Sequence, residues 1–167
     1  MANKHSVVQT DLMLGTYGSV GLVSLQYHDN DGPAAIDNGH VVLLDSLIEG
    51  EREIWKAVTP AKDSPLSRIA IVATPEVMYD ERLRNLSDFY NEAGNVALGY
   101  RLDYCGQVLR VSSDALSGTA KVGDIVELQP DSKLKVVTTA TEGSTVVGRV
   151  VGLETVGTIE YVAICID

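Results

Sequence analysis

Gly118-Thr-Ala-Lys-Val-Gly-Asp-Ile-Val-Glu-Leu128, with its continuation to Leu153, is the stretch that decides the fold class. Val122-Gly-Asp124 is a turn, because Gly tolerates positive φ and Asp can hydrogen-bond its own backbone. Ile125 to Leu128 then reads as a strand, Gln129 to Lys133 turns the chain, and Leu134 to Thr138 returns it. Thr141-Glu-Gly-Ser144 turns it again, and Val146 to Leu153 is a third strand. Apolar runs with turn chemistry at each corner make a β-meander. No obvious catalytic group lies within it, so the unit reads as a fold-building piece.

An earlier stretch matches it. Gly39-His-Val-Val-Leu-Leu44 aligns with Gly123-Asp-Ile-Val-Glu-Leu128, and Trp55-Lys-Ala-Val-Thr59 with Leu134-Lys-Val-Val-Thr138. Arg68-Ile-Ala-Ile71 aligns with Arg149-Val-Val-Gly152. A duplication would produce these matches, and so would two β-meanders that share only their architecture. Both readings give two β-units that pack as a sandwich or distorted barrel. His40 to Leu44 is apolar on both faces, as in a strand covered on two sides. Leu22–Tyr27, Glu53–Thr59, Arg68–Thr74, Val96–Leu102, Gln107–Val111 and Tyr161–Ile166 are further strand candidates. The last is also apolar on both faces and is expected to be central.

Between the two units the spacing predicts one helix near 80–93. Asp80 is its N-cap candidate, Leu83, Leu86, Phe89, Tyr90 and Ala93 form one apolar face, and Gly94 stops it. Trp55, the one Trp, is expected to be buried against that face. The expected fold is therefore mainly β, a β-sandwich or distorted barrel from two meander-like units, with one amphipathic α-helix. Residues 1–33 read as an N-terminal arm and first strand, and residues 34–167 as the β-rich domain.

The net charge of −10 argues against nucleic acid and against an anionic membrane surface, both of which need a basic footprint. No apolar run approaches the ~18 residues of a membrane span. The first residues, Met-Ala-Asn-Lys-His-Ser, lack the apolar core of a secretory signal. Cys105 and Cys165 are too few and too far apart for a disulfide framework or metal site, and read as thiols of a reducing cytoplasm.

The chemistry-bearing residues are scattered. His5, His28 and His40 have no partner at helical metal-site spacing, so no metal is expected. His28-Asp-Asn-Asp-Gly-Pro33 invites a calcium-loop reading, but Gly32 at the sixth position puts Tyr27 first and Asn38 twelfth, where acidic ligands belong. It reads as a solvated turn. The glycines of Gly15-Thr-Tyr-Gly-Ser-Val-Gly21 fit no phosphate-loop spacing. Lys121-Val-Gly-Asp-Ile-Val126 is similar to the first hairpin of biotinyl and lipoyl carrier domains, and Lys133 sits at a turn, but between Ser132 and Leu134. No catalytic or cofactor-binding residue is assigned.

Phe89-Tyr-Asn-Glu-Ala-Gly-Asn-Val-Ala-Leu-Gly-Tyr-Arg-Leu102 is followed by Gly106, the strand Gln107–Val111, Asp114-Ala-Leu-Ser-Gly118, Val122-Gly-Asp-Ile-Val126 and Val147-Gly-Arg-Val-Val151. This order, over roughly residues 89–167, resembles the decoration or auxiliary proteins on the heads of tailed bacteriophages. The resemblance implies a structural virion protein on the capsid exterior, made in the host bacterial cytoplasm. It implies no enzyme activity and no cofactor, the major capsid protein as partner, and self-association, most naturally as a trimer. The apolar, glycine-bearing N-terminal region is the expected capsid- or neighbour-facing part, through Leu12, Met13, Leu14, Tyr17, Val20, Leu22 and Val23. The alternative is a small β-barrel enzyme, or a carrier or ligand-binding module, without a recognisable motif.

Overall fold

Strands β2 (Val41–Leu47) and β4 (Ile69–Val72) bury side chains on both faces, and the two faces serve different cores. Val42, Leu44, Ala70 and Val72 point into one cluster with Leu25, Ile36, Ala57 and Ala97. Their neighbours Val41, Ile69 and Ile71 join a second, larger cluster. That alternation is the period-2 geometry of a strand with no solvent face. The structure is a computed structural model that describes residues 5–13, 21–80, 82, 85–102 and 106–167.

The first lobe is a closed five-stranded barrel. Its other strands are β1 (Leu22–Tyr27), β3 (Ile54–Val58) and β5 (Ala97–Arg101), and the order around it is β1-β3-β2-β4-β5. β1 closes the ring, parallel to β3 and antiparallel to β5. Ala57, Ala70, Ala97 and Gly99 keep the inward positions small, as so narrow a barrel requires.

The second lobe is a six-stranded curled sheet. Its strands are β6 (Val108–Ser112), β7 (Leu116–Ser117), β8 (Ile125–Gln129), β9 (Asp131–Val137), β10 (Val146–Val156) and β11 (Ile159–Ile166), in the order β6-β11-β10-β8-β9-β7. β6 and β7 are consecutive, separated by one 3-10 turn at Ser113–Ala115. β6 lies antiparallel to β11 and β7 parallel to β9. Together they do in two pieces what β1 does in one. Each lobe is thus the same five-strand circuit, with the closing strand intact in the first and broken in the second.

The register is shared as well as the order. Gly39 N–H donates to Val72 O and Val72 N–H to His40 O; in the second lobe Gly123 N–H donates to Val150 O and Val150 N–H to Asp124 O. Leu102 N–H meets Ile69 O, as Asp167 N–H meets Val147 O. Arg101 N–H meets Gly21 O, as Ile166 N–H meets Gln107 O. Gly39 and Gly123 hold φ of +83° and +96°, so both copies start their central strand from the same left-handed turn. The match of Gly39–Leu44 with Gly123–Leu128 therefore marks equivalent positions. The match of Arg68 with Arg149 is three residues out, since Ile71 is the residue that pairs with Val41 as Arg149 pairs with Ile125. The second-strand match is two residues out, since Leu43 faces Val58 whereas Glu127 faces Lys135.

The expected α-helix near 80–93 is absent among the described residues. Leu86–Asp88 is a single 3-10 turn, flanked by extended Asn85 and Phe89. Tertiary pairing overrides the apolar spacing: Asn91 exchanges both backbone hydrogen bonds with Ile36 and donates from Nδ2 to Ile36 O. Leu86 stays exposed and Leu83 lies outside the described residues. Trp55 therefore has no helix to pack on; it is half-buried against the first-lobe cluster.

Of residues 1–33, the described stretches 5–13 and 21–33 pack on the rest of the chain. β1 is a barrel strand, and residues 5–13 lie along the free edge of β6: Ser112 N–H donates to Val7 O, and Gln9 N–H to Arg110 O. Val7, Val8 and Met13 are buried, Val8 and Met13 in the larger core.

Candidate functional site

Where the two lobes agree, the residues answer to the shared fold. Where they differ, something else has shaped them. The sharpest difference is the connection between the fourth and fifth strands of each circuit. In the second lobe β10 and β11 are joined by Gly157 and Thr158 alone, and the hairpin runs on past its neighbours. In the first lobe the same junction, β4 to β5, is residues 73–96.

Both junctions expose apolar side chains. On the 73–96 segment Tyr79 is 96% exposed and Val77 60%, with Leu86 and Val96 also exposed. Val77, Tyr79 and Val96 border a groove of about 550 Å³ whose lining includes Pro75, Met78, Phe89 and Tyr90. On the hairpin Val151, Leu153 and Val156 are exposed. Beside them lies a hollow of about 400 Å³ walled by Arg110, Glu154 and Tyr161, with the small Gly152 and Ala163 between them. Scattered apolar residues on a surface are ordinary; contiguous ones beside grooves mark contact sites.

Polar groups fix this region's geometry. The Arg110 guanidinium is ion-paired with Glu154 across the hairpin base. Burial, then the charges of Glu76 and Asp11, push the Tyr161 phenol above its ordinary range. Glu76 comes from the 73–96 segment and Asp11 from the N-terminal stretch. Asn38 ties the base of the segment down: its Oδ1 accepts from Thr74 N–H and its Nδ2 donates to Thr74 O. His5 Nδ1 lies 2.9 Å from Asp37 Oδ1, which accepts, and the ring stacks on Tyr90 with centroids 4.7 Å apart.

Of the residues named from the sequence, Leu12 and Leu22 are exposed and Val23 is half-buried against the barrel core. Met13 is a correction: it is 1% exposed, a core residue with no surface to offer. Leu14, Tyr17 and Val20 lie outside the described residues. The hairpin residues were missed. Val151-Gly-Leu-Glu-Thr-Val156 reads from sequence as an ordinary strand continuation, and its exposure follows from the end of the β8 ladder at Arg149.

The remaining chemistry-bearing residues are structural. Asp29 Oδ1 accepts from Asp31 N–H, the bond of a solvated Asx-turn. His28 pairs with Gln26. His40 has its pKa lowered, by burial first and then by Lys133, against the opposing charges of Asp37 and Asp131. Lys133 lies within β9 and donates to Asp114 O, which is not the position of a carrier lysine at a hairpin tip. No group of three or more His, Cys, Asp or Glu that could hold a metal occurs among the described residues.

Among the described residues, Glu127 is the one buried carboxylate, and it has a full set of partners. Burial opposes its charge, but the Thr141 hydroxyl at 2.6 Å, Thr141 N–H at 2.8 Å and the Lys135 ammonium at 3.2 Å outweigh it. Its pKa is held below the ordinary glutamate value. The cluster pins the 138–145 turn onto β8 and leaves no unpaired oxygen for catalysis. No helix among the described residues is long and apolar enough to cross a membrane.

Comparison with protein families, curated proteins and solved structures finds no match to this chain.

Proposed function

We propose that this chain is a structural protein of a tailed-bacteriophage virion, which binds the outer surface of the capsid and decorates or stabilises it. The observation that carries this reading is the asymmetry between the two lobes. A repeated strand circuit supplies the body, and seven of the twelve large apolar residues exposed among the described residues lie on the 73–96 segment and on the β10–β11 hairpin from Val151 onward. That is the distribution expected of a module whose task is contact with a large partner. The resemblance of the motif order from Phe89 to Val151 to phage decoration proteins supports the major capsid protein as the partner.

The contact residues differ from those first expected. Leu12 and Leu22 remain candidates by exposure, and Val77, Tyr79, Leu153 and Val156 join them. Self-association as a trimer belongs to the same reading, since a decoration protein at a three-fold lattice point is matched by a three-fold assembly. The test is direct. Purified chain is mixed with empty heads of its phage, sedimented, and imaged by cryo-electron microscopy. Saturable binding with added density on the outer surface is expected. Density confined to the interior, or no binding at any ratio, overturns the proposal.

A further inference from the structure

Asn38-Gly39 is the only place in the chain where Asn precedes Gly. The pair carries its own chemistry: asparagine is thermolabile, and Gly has no Cβ to keep its backbone nitrogen away from the preceding side chain. In the structure both reacting groups are held. Asn38 is buried. Its Oδ1 accepts from Thr74 N–H at 3.0 Å and from Asn91 Nδ2 at 3.2 Å. Its Nδ2 donates to Thr74 O at 2.8 Å and to Glu76 Oε1 at 3.3 Å. Gly39 N–H, the other reacting group, donates to Val72 O at 2.8 Å.

Every clamp on the Asn38 side chain comes from the 73–96 segment, Thr74 and Glu76 from its start and Asn91 from its return. The described residues of that segment hold one 3-10 turn and no strand, and Val77 and Tyr79 on it are exposed. Segments with few buried contacts open at a lower free energy than the strands that carry them. Opening at Thr74 frees the Asn38 amide and admits water. Val72 is the last residue of β4, so fraying at the same place also frees Gly39 N–H.

We propose that Asn38 is a self-modification site gated by the 73–96 segment: closed, the segment keeps it as asparagine, and open, it lets Asn38 cyclise and so cannot close again. The backbone nitrogen of Gly39 gives up its proton and bonds to Asn38 Cγ. The Cγ–Nδ2 bond breaks, and Nδ2 leaves with that proton as ammonia. Water then opens the succinimide at Cγ, giving aspartate, or at the main-chain carbonyl, giving isoaspartate; no electrons change hands. Either product has a carboxylate in place of the amide that donated to Thr74 O, and it adds a negative charge beside Glu76. An acceptor facing an acceptor cannot rebuild the clamp. Isoaspartate also lengthens the backbone at Gly39, where even a Cβ would lie 2.9 Å from Ala115 Cβ. The inference stands whatever partner the protein binds.

The full chain is incubated in mildly alkaline buffer, native and in unfolding urea, and mass spectrometry follows aspartate and isoaspartate at residue 38. Conversion in unfolding urea and at least thirtyfold slower conversion in the native protein are expected. Below the unfolding transition the native rate should rise with urea less steeply than the global unfolding constant, because the segment opens alone. Asn91→Ala removes one clamp and should speed native conversion at least fivefold, with the unfolded rate unchanged; if that variant is globally destabilised, the urea dependence of the wild type still decides. Protein converted in urea and returned to native buffer should show at least tenfold faster amide exchange at residues 74–79, with exchange in β8 to β11 unchanged. Native conversion as fast as unfolded conversion overturns the proposal, as does a native rate that tracks global unfolding or a folded Asn91→Ala variant with the wild-type rate. So does converted protein whose exchange is unchanged at 74–79 or raised equally along the whole chain.

Discussion

The two lobes follow one circuit with different fillings. At equivalent inward positions the first lobe has Val23, Leu25, Ala97 and Gly99, where the second has Leu109, Val111, Val162 and Ile164. The closed barrel takes small residues because its interior is narrow; the second lobe, with its closing strand broken at Ser113–Ala115, takes larger ones. The outward faces diverge too. Val41, Leu43, Ile69 and Ile71 of the first lobe pack into the larger core. The matching second-lobe positions include Glu127, clamped by Thr141 and Lys135, and Arg149, which is exposed. A shared backbone therefore carries an apolar outer face in the first lobe and, in the second, one that combines the buried Val147 with Glu127 and Arg149.

The largest effect should come from a position where the copies are equivalent but not interchangeable. Ala70 and Gly148 occupy the same place, facing Arg101 and Ile166 on the fifth strand of their lobes. A Cβ on Gly148 would lie 2.0 Å from Cys165 O, and backbone cannot step aside as a side-chain tip can. Gly148→Ala is expected to cost about 4 kcal/mol or more, in the range reserved for severe core disruption. Ala70→Gly should cost only about 1 kcal/mol. Urea denaturation of both variants checks this, and equal losses would break the equivalence.

Next comes the N-terminal stretch, which lies along the edge of β6. Met13→Ala should cost about 2–5 kcal/mol as a buried large-to-small change, while the neighbouring Leu12→Ala should cost under about 0.5 kcal/mol. Deleting residues 2–18 should consequently destabilise the chain, although an independent arm would be removed without harm. A deletion variant with an unchanged denaturation midpoint would restore the arm.

A smaller effect tests the polar part of the second-lobe face. Glu127→Gln should cost about 1–3 kcal/mol at neutral pH, because Lys135 and Thr141 lose their charged partner. Since the folded state depresses the Glu127 pKa, its contribution is complete above the unfolded glutamate value and is lost as the pH falls through the folded one. The wild type should lose stability on acidification more steeply than Glu127→Gln. Parallel midpoint-against-pH curves for the two proteins would remove Glu127 as the clamp.

The strands were legible because their signals are local. Alternation, β-branched runs and Gly turns placed Leu22–Tyr27, the Ile54 strand, the Ile125 hairpin and Tyr161–Ile166 near where they are. The both-face apolarity of Val41–Leu44 anticipated its two cores. The 80–93 helix failed because spacing alone cannot see Ile36, which takes both backbone groups of Asn91. The repeat was legible at Gly39 and Gly123, where a positive φ demands a residue type. It slipped by three at Arg68 and Arg149, where nothing does: Arg68 donates to Leu44 O and Asp45 O, while Arg149 lies 3.8 Å from Asp167. The contact surface was least legible. Exposure of Leu153 or Tyr79 depends on where the neighbouring strands stop, which is a property of the fold and not of the residues.

In the proposed function the junctions of the fourth and fifth strands bind the capsid, and the repeated circuit only carries them. Co-sedimentation with empty heads tests it most directly, comparing wild type with a variant carrying Val77→Asp, Tyr79→Ser, Leu153→Asp and Val156→Asp. The account predicts a variant with the wild-type urea midpoint and at least a hundredfold weaker binding. Unchanged binding by that folded variant would contradict it.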